Sequence, residues 1–206
     1  NKDFKTTLKL SKKTEKILSD RIVYENHDFI IINKLKGYSV QRGTKVNTSL
    51  KDYYESLLMT DLFIVHRLDK DTTGLMIFAK NRLSASKISK LFLSKNIHKF
   101  YVAVTNNSFK KPSGFLINTN SQNKQLNLLY RKIHIKNFEN TYLIKLLTGK
   151  KHQIRLQFFL NKNPIKGDNK FSKNNKSKLL LSSFSLNFIY ENKFYKFKLD
   201  LNQIFQ

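Results

Sequence analysis

The chain of 206 residues contains no cysteine, which excludes disulfides and thiolate chemistry and leaves its redox compartment open. No run approaches the ~18 consecutive apolar residues of a membrane span, so no membrane partner is expected. The opening NKDFKTTLKLSKK has neither the apolar stretch of a secretory signal nor the arginines of a transit peptide. Internal repeats are absent. Carboxylates are scarce, with 14 Asp and Glu against 39 Lys and Arg and a formal charge of +25. Cations in such excess repel one another, and the commonest reason to tolerate them is a polyanionic partner whose counterions are released on binding. Codon bias toward Lys and Asn is the competing explanation, and charge alone leaves both open. The five histidines, at 27, 66, 98, 134 and 152, lack metal-ligand spacing. No metal site is expected.

What is present describes a packed protein. The 40% apolar content lies in short runs rich in Phe, Ile and Leu, and the length suits one large domain able to bury roughly 70% of its unfolded surface. Residues 1–20 are polar and read as a linker or N-terminal extension. The domain proper, 21–206, opens with a hairpin, 22–24 and 29–32, around Glu25 to Asp28. A helix is expected over 48–59 with Thr48 or Ser49 as cap, a buried strand over 75–79, a helix over 81–94 and a strand over 99–104. The Asn, Ser, Lys and Gly content of 105–127 predicts loops or weak edge strands. A strand over 141–147, a helix over 151–161, and two final strands joined at Glu191-Asn192 complete the series. Strands and helices alternate without a βαβ rhythm, which favours an α+β fold: a mixed, largely antiparallel central sheet flanked by helices and loops.

Two stretches carry candidate chemistry. In VHRLDKDTTG, residues 65–74, an extended backbone puts Arg67 and Asp69 on one face and His66 and Leu68 on the other, ahead of a turn at Asp71 to Gly74. On these residues alone Asp69 is either a functional carboxylate or a surface acid closing a turn. In TGKKHQIRLQFF, 148–159, a helix starting near Lys150 groups Lys151 with Arg155. Lysine there opposes the macrodipole and is explained by a bound phosphate or by a merely solvated end. Tyr101, next to Phe100 on its strand, is either a core ring with a wet tip or a stacking surface for a base.

These stretches also carry a resemblance. HRLDKDTTGLMIFAK resembles the HRLDxxTSGLLLxAK signature of the RluA-type RNA pseudouridine synthases. In the same order, DRIVYENHDFIIINKLKG resembles that family's opening hairpin, KFYVAV its K-x-Y-x-A-x-V strand, GKKHQIRLQ its GRTHQIRVH helix and NPIKGDNKF its PIxGDxxYG loop. The likeness covers roughly 21–206 and is nearest the RluC-like branch. Departures are Leu35 for the usual proline, Lys150 for arginine, and Lys170-Phe171 for the final aromatic-glycine pair.

The resemblance implies an isomerase that turns uridine into pseudouridine in structured RNA, most nearly large-subunit ribosomal RNA, without a cofactor. It implies Asp69, Tyr101 and Arg155 as the catalytic group, with Asp69 either attacking C1′ or helping to remove the C2′ proton. Tyr101 stacks on the everted base, and Arg155 pairs with the carboxylate. Arg67 fills or holds the space the base leaves, while Lys150, Lys151 and His152 contact flanking phosphates. It further implies a monomer in the cytoplasm of a bacterium, with an organelle left open, and an S4-like RNA-binding domain upstream of residue 1 in many relatives. The rival expectation is a noncatalytic RNA-binding or ribosome-assembly protein retaining the fold.

Overall fold

The computed structural model describes residues 8–44, 46–172 and 177–205. Within the stretch expected as a linker or extension, Ser11 caps helix α1 (Lys12–Ser19), which lays Leu18 into the core beside α2 (Leu50–Leu58). Strands β1 (Ile22–Glu25) and β2 (Phe29–Lys34) form the opening hairpin. Its corner is held by Asn26, whose side-chain carbonyl accepts from the backbone N–H groups of Asp28 and Phe29. Ser49 and Asp52 make a reciprocal capping box at the start of α2, and Asn81 and Ser84 make another at α3 (Arg82–Leu93).

The remaining strands are β3 (Phe63–Ile64), β4 (Thr73–Ala79), β5 (His98–Val104), β6 (Ser113–Thr119), β7 (Gln125–Ile135), β8 (Phe138–Leu146), β9 (Leu181–Tyr190) and β10 (Lys193–Lys198). They build one ten-stranded sheet in the order β1-β2-β4-β9-β5-β8-β7-β6, with β3 on β4 and β10 on β9. Among the described residues only β4 and β9 pair in parallel, at Thr73 with Ser182 and Gly74 with Ser183. The expected α+β, largely antiparallel sheet is the one observed. Glu191 and Asn192 form the final turn with φ of 49° and 59°, the left-handed pair that matches strand twist in a two-residue hairpin.

Two local expectations need correction. Over 105–127, where loops or weak edge strands were expected, β6 is an edge strand, but it belongs to a long hairpin with β7, an inner strand of the sheet. The last helix, α4, spans Gln153–Leu160 instead of starting near Lys150. The chain delays it because His152 takes left-handed backbone angles, φ 54° and ψ 22°, which no α-helix continues through.

The β4–β9 contact explains a glycine. A Cβ on Gly74 would collide with the Ser183 carbonyl oxygen, and its φ of +103° disfavours other residues. This close crossing joins the two halves of the sheet five residues after Asp69. The candidate site lies over that junction.

Candidate active site

The site is assembled from four separate stretches. The segment leading to Asp69 is fixed first by His66, whose Nε2 accepts the Ile77 N–H at 2.9 Å while its ring stacks on Phe92 at 4.4 Å. Burial, with Lys99 adding repulsion, pushes the His66 pKa down to about 3. A neutral ring is needed, since an imidazolium has no acceptor for that N–H. Leu68 also points inward, whereas Arg67 is exposed and Asp69 half-buried, the two-faced arrangement the extended segment predicts.

The turn after Asp69 is held from below by Lys34. This lysine is 1% exposed, and its Nζ donates to the carbonyls of Leu35, Lys70 and Thr72 at 2.9–3.0 Å. Burial lowers its pKa to about 8 against the opposing pull of Asp71 and Asp69. An ammonium with three carbonyl partners ties the end of β2 to the loop that presents Asp69. Nothing in the opening hairpin, read alone, distinguishes Lys34 from the many surface lysines.

The second wall comes from the approach to α4. Gln153 is buried; its side-chain carbonyl accepts from Thr148 Oγ1 and the Lys150 N–H, and its amide donates to Asn127 O and Gln157 Oε1. Gln157, one turn on, donates to the carbonyls of Leu116 and Leu126. These two glutamines clamp the turn 149–152 onto the β6–β7 hairpin. Sequence reasoning missed both, although polar side chains four apart within an apolar helix were the available signal.

His152, held in its left-handed geometry, places Nδ1 2.7 Å from Asp69 Oδ2. An ionised carboxylate only accepts, so Nδ1 carries the proton in this contact. Arg155 Nη1 stands 3.5 Å from the same Asp69 oxygen. Its stronger partner is Asp168: Nε donates to Oδ2 at 2.9 Å and Nη2 to Oδ1 at 2.6 Å, a two-pronged pair with the carboxylate 1% exposed. Asp168 in turn accepts the N–H groups of Lys170 and Phe171. It was not among the expected site residues, though the GD step of NPIKGDNKF held it. Gly167 makes the turn possible, since its φ is +78° and any Cβ there would run into the Lys178 carbonyl.

For Asp69, burial pushes the carboxyl up, but hydrogen bonding and charge from His152, followed by Arg155, outweigh it and leave the group below the usual carboxylate range. It is ionised at neutral pH. Tyr101 is 7% exposed on β5, directly across from Ser183, which is itself across from Gly74. Burial and then the charge of Asp69 raise its phenol above the ordinary range, against a smaller pull from Ser183, so it stays protonated. Thus His152 and Arg155 surround Asp69 closely, and Tyr101 lies on the strand two positions across the sheet. Lys150 and Lys151 are exposed beside His152 in the turn before α4. Arg67 is exposed on the opposite side of the Asp69 segment from Leu68.

This arrangement offers a partly accessible, ionised carboxylate beside the Arg155 guanidinium and the His152 ring, a neutral phenol on β5, and exposed lysines outside. Such a carboxylate can capture or stabilise positive charge at a sugar carbon.

Comparison with known proteins gives a consistent result. Residues 28–159 match the family described as RNA pseudouridylate synthase. An uncharacterized RNA pseudouridine synthase of Haemophilus influenzae is 34% identical over 187 residues, 84% of this chain and 84% of its own length. Ribosomal large subunit pseudouridine synthase C of Rickettsia bellii is 34% identical over 175 residues, 76% of this chain. The alignment spans only 58% of that rickettsial relative. Among solved structures, human RNA pseudouridylate synthase domain containing 4 shares the fold with a TM-score of 0.75 at 21% identity, covering 93% of this chain and 92% of its own.

Proposed function

This chain belongs to the RNA pseudouridylate synthase family, and from that premise we propose that it isomerises uridine to pseudouridine in RNA, with Asp69 as the essential group. The observation that carries the proposal is an ionised Asp69 held at 2.7 Å by His152 and at 3.5 Å by Arg155, with about a fifth of its side chain still accessible. A chain this basic has little use for a partly accessible carboxylate among its cations unless the carboxylate acts on the substrate.

The reaction is balanced within the nucleotide. The N1–C1′ bond breaks, the base turns, and a C5–C1′ bond forms; C5 releases its proton and N1 ends protonated. No net oxidation occurs, which accords with a reaction needing no cofactor. Asp69 either bonds to C1′ and leaves again or takes part in removing the C2′ proton. Tyr101 provides a ring for the everted base and a phenol kept protonated, and Arg155 keeps Asp69 charged and oriented. Arg67 occupies the space left in the RNA stack, while Lys150, Lys151 and His152 contact flanking phosphates. His152 serves both sides, since its Nδ1 faces Asp69 and the ring keeps a second nitrogen for RNA. Extruding the base costs a few kcal/mol, which these outer contacts offset.

The names of the rickettsial relatives support large-subunit ribosomal RNA as the substrate. Bacterial relatives support work in a bacterial cytoplasm, and the enzyme is proposed to act as a monomer. Among the described residues no helix is long and apolar enough to cross a membrane. Incubating the protein and its Asp69→Asn form with unmodified large-subunit rRNA and mapping pseudouridine tests the proposal. Product with the parent only, and equal RNA retention by both, is expected. Retention without product from either would identify a noncatalytic binder.

A further inference from the structure

We infer that the face of the sheet turned away from Asp69 is a second RNA-binding surface, one that takes an unpaired strand. The registers define a continuous row across six strands: Phe115 pairs with Leu129, Leu129 with Lys145, Lys145 with Phe100, Phe100 with Ser185, and Ser185 with Lys198. Directly paired residues share a face, so these side chains stand side by side over roughly 24 Å at ~4.8 Å per strand. Tyr101 follows Phe100 and points to the opposite side, toward the site already described.

A second row runs alongside, with Ile117 across from Asn127 on β6 and β7, His98 across from Asn187 on β5 and β9, and Asn187 across from Lys196. Beyond it Ile189 pairs with Phe194. Helices pack elsewhere. At one end the C-terminal segment covers the face, where Leu199, Leu201 and Ile204 pack in one cluster with Val102, Phe184, Ile135 and Phe100, and Ser185 is buried. The other end is open: Phe115, Ile117, Leu129, Ile189 and Phe194 are 42–62% exposed. Five large apolar side chains left uncovered on one sheet face mark a contact surface.

Its chemistry selects the partner. The paired positions named above include Lys145, Lys196 and Lys198 and no carboxylate, so the charge they carry is positive. Lysine is depleted from protein–protein interfaces, and here Lys145 stands between Leu129 and Phe100 while Lys196 and Lys198 line the β10 edge. Exposed rings and aliphatic side chains interleaved with cations and Asn amides on an open sheet suit unstacked bases joined by phosphates. The inference needs RNA to be the polyanion the protein meets, as the proposed function holds, but does not need the isomerisation itself.

The test uses a 20-nucleotide oligoadenylate, which has no uridine to enter the catalytic site. Binding by the parent is expected to be unchanged in Asp69→Asn. The combined Lys145→Gln, Lys196→Gln, Lys198→Gln variant should bind roughly tenfold to a hundredfold more weakly at 0.1 M salt and lose about 2 from the log–log salt slope. A second variant, Phe115→Ala with Phe194→Ala, changes only exposed rings and should weaken binding about tenfold with the slope intact. Both should keep parental turnover on a short uridine stem-loop. Unchanged affinity and slope in the lysine variant, or a dimer that these changes dissolve while oligoadenylate binding stays parental, would overturn the inference. Loss of the isomerase reading alone would leave oligoadenylate binding intact.

Discussion

Asp69 and Asp168 face the same guanidinium from two loops, yet the protein treats them in opposite ways. Asp168 is 1% exposed, forks onto Arg155 and is further held by two backbone N–H groups. Asp69 keeps 22% of its side chain exposed and meets Arg155 through one longer contact. A buried charge must be fully partnered to be tolerated, and a fully partnered carboxylate has no oxygen to offer a substrate. Division of labour follows: Asp168 fixes Arg155, and Arg155 with His152 keeps Asp69 charged while leaving it reachable.

The comparison breaks most sharply under isosteric neutralisation. Asp69→Asn should abolish pseudouridine formation, by about 10⁴-fold or more in single-turnover assays, because the proposed role gives Asp69 the chemistry at the sugar. Its folding stability should stay within about 1 kcal/mol of the parent, since only a partly exposed contact is lost. Asp168→Asn should do the reverse in order of severity. Chemical denaturation should show a loss of about 3–5 kcal/mol, as Arg155 is left buried without its counter-charge, and turnover should fall only as far as Arg155 moves. Equal effects of the two changes on stability would show that the carboxylates are interchangeable and the distinction false.

The difference between the two acids also shows which parts of the site could be read in advance. Asp69 stood out because it sat in a basic chain, on an alternating segment whose buried members, His66 and Leu68, set its direction. Tyr101 and Arg155 became candidates through the resemblance of their motifs; α2, α3 and most strands followed from apolar spacing, whereas α1 lies in the stretch expected as a linker or extension. Asp168 and Lys34 were hidden because their value lies in partners 13 to 38 residues away, which spacing does not encode, whereas Gln153 and Gln157 left a polar pair four apart whose distant partners spacing does not name. The left-handed turn at His152 was hidden too, since helical periodicity in QIRLQFF runs smoothly back into KKH. The β7 strand was legible in principle: Leu126, Leu128 and Tyr130 alternate inward between exposed or half-exposed neighbours. Its Asn- and Lys-rich setting masked that period of two.

Any pH study of Asp69 has to be separated from acid unfolding, and His66 supplies the separation. Its ring takes a proton near pH 6.5 when unfolded but resists protonation down to about 3 when folded. The unfolded state therefore binds more protons across that window, so stability falls as pH drops, by up to about 1.4 kcal/mol per unit from this residue. His66→Gln, which keeps an acceptor for the Ile77 N–H, should flatten the slope of unfolding free energy between pH 6 and pH 4. A slope identical to the parent's would mean that the ring is not held neutral.

With that background measured, His152→Gln isolates the smallest effect. The substitution removes the ring proton donor nearest Asp69 while leaving Arg155 and Asp168 paired. Asp69 lies below the ordinary carboxylate range because His152 and Arg155 together outweigh burial, so losing the first must move its pKa upward. The acid limb of kcat/KM should shift to higher pH, with less than about a tenfold loss at neutral pH, where the carboxylate is ionised in either form. A purely structural role for His152 would lower activity evenly across the profile and leave the limb in place. An unmoved limb would transfer the task of keeping Asp69 ionised to Arg155 alone, and with it the weight now given to the 2.7 Å contact.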